Sequence, residues 1–339
     1  MSRPSFTEAL QSRPWLLADG ATGTNYFQMG LVSGDAPELW NFEHPDRVRS
    51  LHRRFIEAGA DIVLTNSFGG TRYRLKLHNA QDRVRELNIA AAKNARAEAD
   101  SADHPVYVGG SIGPTGEIFE PVGTLPHADG VAAFEEQALA LKEGGVDVLW
   151  IETMSSEEEL RAAVEGASKA GLPIVTTMSF DTNGRTMMGI TPAGFGRLTE
   201  TLPVKPVAIG ANCGVGASEL VATVLGITAA RPDAAVVAKG NCGIPQYVDG
   251  HIHYTGTPEL MADYARIALD AGAKIIGGCC GTSPEHLAAM RKSLEAYTKG
   301  SRPTVDLIEK RLGPVSELAK GIDTAAAGAA KRERRRSSA

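Results

Sequence analysis

Ile275-Ile276-Gly277-Gly278-Cys279-Cys280-Gly281-Thr282 decides the reading of this chain. Two β-branched residues lead into two glycines, two adjacent cysteines and a third glycine. The first part reads as a short buried strand with Cys279 as its last residue. The glycines let the backbone turn and keep side-chain bulk away from both sulfurs. Adjacent cysteines allow three readings. A vicinal disulfide is strained and has little use in a reducing compartment. Two packed core thiols are the second reading, because free cysteine is often buried. Two thiolates converging on one metal are the third. A further cysteine favours the metal: Cys213, in Ile209-Gly210-Ala211-Asn212-Cys213-Gly214, also follows an apolar run and precedes a glycine.

The same pattern recurs upstream. Apolar runs ending in small or polar residues occur at 15–20, 61–66, 106–111, 146–152, 173–179, 206–212 and 235–241. With the opening stretch they make eight. Nearly continuous apolarity marks a strand covered on both faces. Amphipathic or Ala-rich helix patterns lie between them, at 45–58, 81–99, 129–143, 155–170, 192–201, 216–229, 258–271 and 284–297. Gly59, Gly145, Gly171 and Gly272 stand where helices end in a left-handed turn. Thr257-Pro258 and Ser283-Pro284 read as helix starts. Strand–helix alternation implies a parallel sheet with right-handed crossovers. Eight units predict an α/β fold, a closed (β/α)8 TIM barrel, over residues 1–300 as one domain. An open doubly wound sheet is the rival, but no GxGxxG turn follows the first strand. Residues 301–339 read as a C-terminal extension, with one short helix at 301–312 and a disordered, basic end.

Composition fits this picture. The 339 residues are 43% apolar and 22% charged, as a soluble globular chain requires. A net charge of −5 implies no general affinity for nucleic acid or anionic membrane. No run is long enough to span a membrane, and the first residues lack a signal-peptide core, so a cytoplasmic location is expected. Four cysteines are not a disulfide framework; they read as catalytic, metal-binding or inert.

In a (β/α)8 barrel the active site lies at the C-terminal strand ends. There the sequence places Asp19, Asn66, Glu152, Cys213, Cys242, Cys279 and Cys280. Strands six and eight are separated by one strand, so their cysteines can meet. Three thiolates suit Zn²⁺ and leave its fourth position open, the mark of a catalytic site. A three-sulfur shell gives zinc a formal charge of −1. Such a centre activates carbonyls poorly but keeps a bound substrate thiolate electron-rich, which favours thiol alkylation over hydrolysis.

At this point the motifs resemble a family. Asp19-Gly20-Ala21-Thr22-Gly23-Thr24, Thr65-Asn66-Ser67-Phe68-Gly69, Gly110-Ser111-Ile112-Gly113-Pro114, Glu152-Thr153, Asn212-Cys213-Gly214 and the double-cysteine stretch are similar, in order, to the homocysteine S-methyltransferase family. That family includes betaine–homocysteine methyltransferases, S-methylmethionine-dependent enzymes and the homocysteine module of cobalamin-dependent methionine synthase. The resemblance spans roughly residues 12–298. It implies a zinc barrel that activates homocysteine and yields methionine; a homo-oligomer is left open. Cys213, Cys279 and Cys280 match the zinc ligands and the catalytic centre. Asp19, the backbone at Gly20 and Ala21, and Glu152 match positions that hold the amino and carboxylate ends of homocysteine.

The bland readings are a turn cap for Asp19, an ion pair for Glu152 and a non-ligand for Cys242. Lys239, inside strand seven, could instead be a Schiff-base lysine of an aldolase-type barrel. His251 and His253 read as a solvated loop. A non-catalytic zinc protein is the remaining alternative. The donor is expected to be a small onium compound, glycine betaine first and S-methylmethionine second, because no corrinoid or folate module follows. Betaine needs an aromatic wall. The candidates are Trp40, Phe42, Phe68, Tyr73, Phe119, Tyr247 and Tyr254. The aromatics of the animal betaine enzymes fall here at about Ala36 and Gly69, so a cage has to be rebuilt, with Trp40 and Tyr73 as the first choice.

Overall fold

Eight parallel strands close into a (β/α)8 barrel. The computed structural model describes residues 3–248, 251–317 and 319–320. Its strands are β1 (Leu16–Leu17), β2 (Ile62–Leu64), β3 (Tyr107–Ile112), β4 (Val148–Met154), β5 (Ile174–Met178), β6 (Ala208–Cys213), β7 (Val236–Gly240), β8 (Pro245–Val248), β9 (His251–Tyr254) and β10 (Ala273–Gly278). The barrel order is β1-β10-β7-β6-β5-β4-β3-β2, and β8 and β9 form a separate antiparallel hairpin. Closure falls at the β1–β2 seam. There Ala18 bridges Ile62, Asp19 N–H donates to Ile62 O at 2.9 Å, and the Asp61 carboxylate accepts from Leu17 N–H at 2.8 Å. The stretch 275–282 is therefore the eighth barrel strand, β10, and the turn after it. β10 stops at Gly278, so Cys279 lies one residue beyond the strand.

The strands are buried on both faces, as their unbroken apolarity requires. Inside the barrel Leu16, Ala18, Ile62, Leu64, Trp150, Val175, Val237 and Ile275 form one cluster. Helix Phe6–Ser12, which sequence reasoning did not foresee, plugs its N-terminal end with Phe6, Ala9 and Leu10. Outside, helices such as Pro45–Glu57 lay an apolar stripe of Val48, Leu51, Phe55 and Ile56 on the sheet. The expected helix stops are present: Gly59, Gly145, Gly171 and Gly272 all take positive φ. Thr257 caps helix Pro258–Asp270 by accepting from Leu260 N–H at 3.3 Å.

Two local expectations change. The segment around His251 and His253 is not a plain loop; its backbone is strand β9, paired with β8. The side chains of Tyr247, His251 and His253 lie outside the described residues, as does the chain from 321 onward, including the basic end. Helix Val305–Leu312 packs Ile308 and Leu312 into the outer core, so residues 305–312 belong to the folded body. Among the described residues no helix is long and apolar enough to cross a membrane.

Candidate active site

Strand register brings the cysteines together. Cys213 in β6 is level with Gly240 in β7, and Gly240 is level with Gly278 in β10. The chain then turns. Cys279 N–H donates to Gly240 O at 2.7 Å, and Thr282 N–H to Cys279 O at 3.0 Å. Cys280 N–H donates to Asn241 Oδ1 at 3.1 Å. Cys213 has φ +61°, a left-handed conformation that non-glycine residues rarely adopt. The result is one cluster: the sulfurs of Cys213, Cys279 and Cys280 all lie within 4.8 Å of one another, with Cys213 and Cys280 3.9 Å apart.

That geometry fits a metal. Tetrahedral ligation with Zn–S bonds of about 2.3 Å puts sulfurs about 3.8 Å apart. Without a cation the thiols stay protonated. The Cys213 thiol touches Cys279, which favours its thiolate, but contact with Cys280 and burial outweigh this and push it up to about 12. For Cys280 the contact with Cys213 favours the thiolate; the contact and charge of Cys279, with burial, again push it up to about 12. Three sulfurs packed this closely need a positive charge between them to ionise together. Cys242 is not part of the cluster. It is 1% exposed and contributes backbone only, its N–H donating to Cys280 O at 2.9 Å.

The strained turn at Cys213 is held by its neighbour. Asn212 accepts from Thr153 N–H at 2.9 Å and from Thr177 Oγ1 at 2.6 Å, and its Nδ2 donates to Thr153 Oγ1 at 2.7 Å. Thr153 is itself left-handed, with φ +64°. Two strained residues, one beside Glu152 and one a cluster cysteine, are thus tied by a single amide.

Glu152 is buried at the end of β4. Its Oε1 accepts from Ser111 Oγ at 2.5 Å. Burial raises its pKa, while the Lys239 charge and the Ser111 bond act the other way. Asp19 also reaches the mouth, but already paired: Lys239 Nζ lies 2.6 Å from Oδ1, and Leu64 N–H donates to Oδ2 at 2.7 Å. Gly20 passes so close to β10 that a Cβ would sit 2.6 Å from Thr282 O. Ala21 N–H donates to that same Thr282 O at 3.1 Å. Asn66, after β2, is buried, and its Nδ2 donates to Pro37 O at 2.7 Å, tying down the loop after β1.

Comparison with known proteins decides the family. A family model described as Homocysteine S-methyltransferase matches residues 16–294. The chain belongs to the homocysteine S-methyltransferase family. It is 31% identical over 289 residues to a methionine synthase of Mycobacterium tuberculosis, covering 80% of this chain and 24% of that one. It is 30% identical over 305 residues to the methionine synthase of Mycobacterium leprae, covering 85% and 25%. The chain therefore spans about a quarter of the length of these relatives. Among solved structures it is similar to the homocysteine methyltransferase MmuM from Escherichia coli. The oxidized form has TM-score 0.64 and 25% identity, covering 84% of this chain and 97% of that one. The metallated form has TM-score 0.67 and 24% identity, covering 84% and 98%.

The candidate aromatics differ in how open their rings are. Trp40 is 4% exposed, packed between Tyr26, His44 and the Arg47 guanidinium, so it offers no open face. The expectation of Trp40 as a cage wall is corrected on that ground, whereas Tyr73 is half-buried. Phe119 is likewise buried, and Phe42 lies under Arg83. Tyr254, at the end of β9, is the aromatic beside the sulfurs. A Cβ on Gly281 would sit 2.3 Å from its ring, and its hydroxyl favours the Cys280 thiolate. Sequence reasoning missed the roles of Ser111, Thr153 and Thr177 altogether. For Lys239 a signal existed: a lysine inside an apolar strand needs an acidic partner, and few acids end a strand here.

Proposed function

We propose that this chain methylates the thiol of homocysteine to give methionine, at a zinc ion held by Cys213, Cys279 and Cys280. The single observation that carries this is the three-sulfur cluster at the C-terminal strand ends, beside a buried carboxylate with an open oxygen. Zinc held by these three cysteines would supply the positive charge that lets a substrate thiol ionise beside them. The chain's own residues supply the rest. Glu152 holds the substrate's ammonium. The backbone at Gly20 receives its carboxylate; Ala21 N–H, already bonded to Thr282 O, orders that loop. Asn212 keeps Cys213 and the end of β4 in place. Burial at the strand ends excludes water from the thiolate. Lyase chemistry at Lys239 is disfavoured, because its amine is tied to Asp19.

The donor we assign first is a small methylated onium compound, glycine betaine ahead of S-methylmethionine. The onium charge disappears as the methyl leaves, so a desolvated pocket with an aromatic face favours transfer. Tyr254, which packs on Gly281 beside the sulfurs, replaces Trp40 as the aromatic we assign to it. A second reading is favoured by the surface around the mouth. Phe27, Val32, Phe68, Ile118, Val122 and Met187 are exposed on the loops that follow the barrel strands. Such a rim suits a donor presented by another protein or module, and this chain spans only about a quarter of the methionine synthases it matches. The test is methionine formation from homocysteine with betaine, dimethylsulfoniopropionate, S-methylmethionine and methylcobalamin in parallel. Saturable turnover with betaine that falls in Tyr254→Ala is the expected result. Turnover with methylcobalamin only would replace the onium reading by the second. No methionine from any donor, with zinc bound, would leave a non-catalytic zinc protein.

A further inference from the structure

The Asp19–Lys239 pair changes what the two carboxylates of the site can do. Lys239 follows Val236, Val237 and Ala238 in β7 and is in register with Asn212 on one side and Gly277 on the other. A buried lysine there requires a partner. Its Nζ donates to Asp19 Oδ1 at 2.6 Å and to Asp19 O at 3.0 Å, and the two side chains are 2% and 3% exposed. Asp19 Oδ2 accepts from Leu64 N–H. Both carboxylate oxygens are therefore engaged, and the charge is matched at contact distance. Glu152 differs. Ser111 reaches its Oε1, and no donor among the described residues reaches Oε2.

Resting on the homocysteine reading above, we propose that Lys239 is a positioning residue: it closes Asp19 into an ion pair, so that Glu152 alone takes the substrate ammonium. The floor of the site then holds two carboxylates and one ammonium, and the substrate's ammonium completes the neutralisation. One acceptor defines one position for the amino acid end, and hence for the thiol at the cysteine cluster. If Lys239 loses its charge, Asp19 becomes a second buried acceptor. Bound homocysteine then divides between two positions, and only one delivers the thiol correctly. Misplacement on the order of 1 Å lowers turnover by up to about a hundredfold.

The test compares homocysteine with 4-mercaptobutyrate, the same chain without the amino group. Binding is measured by calorimetry on the zinc-loaded protein. The wild type should prefer homocysteine by roughly tenfold to a hundredfold, the range for a charge-assisted hydrogen bond. Glu152→Gln should abolish that preference. The double variant Asp19→Asn with Lys239→Met removes both buried charges together and leaves no unpaired one, so it should fold and keep the preference. Lys239→Met alone should bind homocysteine no more weakly than the wild type. Its methionine formation, with a donor the wild type accepts, should fall at saturating homocysteine in proportion to the share held at Asp19, roughly twofold for an even division. Loss of the preference in the double variant would overturn the proposal, because Asp19 would then hold the ammonium. So would a Lys239→Met protein with weaker homocysteine binding and unchanged turnover at saturation. Wild-type protein that binds neither thiol would instead remove the homocysteine reading itself.

Discussion

Replacing Asn212 by alanine should loosen the site and the barrel together. Asn212 is 1% exposed; it makes three hydrogen bonds, of 2.9, 2.7 and 2.6 Å, to Thr153 and Thr177, and a longer contact of 4.0 Å from Nδ2 to Cys279 Sγ. Truncation leaves the Thr153 N–H and the Thr177 hydroxyl without their acceptor. Each such buried group costs about 1–3 kcal/mol, and water entering the vacated space recovers part of it. A net loss of about 2–4 kcal/mol is expected. Thr153, held at φ +64°, would then be free to leave the left-handed region, and Glu152 and Cys213 would shift with it. Urea unfolding of the reduced, zinc-free protein measures the first effect; competition with a chelator measures the second as weaker zinc binding. Asn212→Asp keeps Oδ1, the acceptor for the Thr153 N–H and the Thr177 hydroxyl, and loses the Nδ2 donor to Thr153 Oγ1, so it should retain more stability than Asn212→Ala. An Asn212→Ala protein within about 0.5 kcal/mol of wild type, with unchanged zinc affinity, would refute the reasoning.

Metal analysis should find about one zinc per chain, lost in Cys213→Ala, Cys279→Ala and Cys280→Ala but kept in Cys242→Ala; a zinc-free Cys242 variant would place the wrong cysteines in the site. His52 should make the fold acid-sensitive. Burial lowers its pKa to about 4, against the opposing charges of Asp19 and Glu98, whereas the unfolded chain takes up that proton near 6.5. Above pH 6.5 both states are neutral at this residue; between 6.5 and 4 the unfolded state binds the extra proton, so stability falls with pH by about 3 kcal/mol in all. The difference between wild type and His52→Leu in urea melts at pH 7 and pH 4.5 isolates that term; equal pH dependence in both would contradict it. Gly20→Ala should lower the melting temperature, because the new Cβ meets Thr282 O at 2.6 Å and the Phe55 ring at 2.9 Å. The expected loss is about 1–3 kcal/mol, and an unchanged melting temperature would show that the loop yields freely.

Sequence by itself determined the repeating unit, the barrel and the three-cysteine cluster. Those features are written locally. Continuous apolarity marks a strand covered on both faces, a left-handed glycine marks a helix end, and a cysteine closing a strand lies at the barrel mouth once the fold is known. The helix Phe6–Ser12 was not legible, because seven residues give too little periodicity to distinguish a plug from a disordered start. The β8–β9 hairpin was missed because its turn and polar residues resemble a loop. Only the tertiary structure decided the partners of the site groups. Asp19 and Lys239 are 220 residues apart, and Asn212 and Thr153 are 59 apart. Which of them meet depends on the order of strands around the barrel and on the register of β6, β7 and β10, and no local pattern encodes either. Trp40 shows the same limit from the other side. Its type suits a cationic donor, but the packing of Tyr26, His44 and Arg47 around it closes both faces of the ring. Residue type sets what a side chain can do; the neighbours that folding assembles from distant segments set what it is free to do.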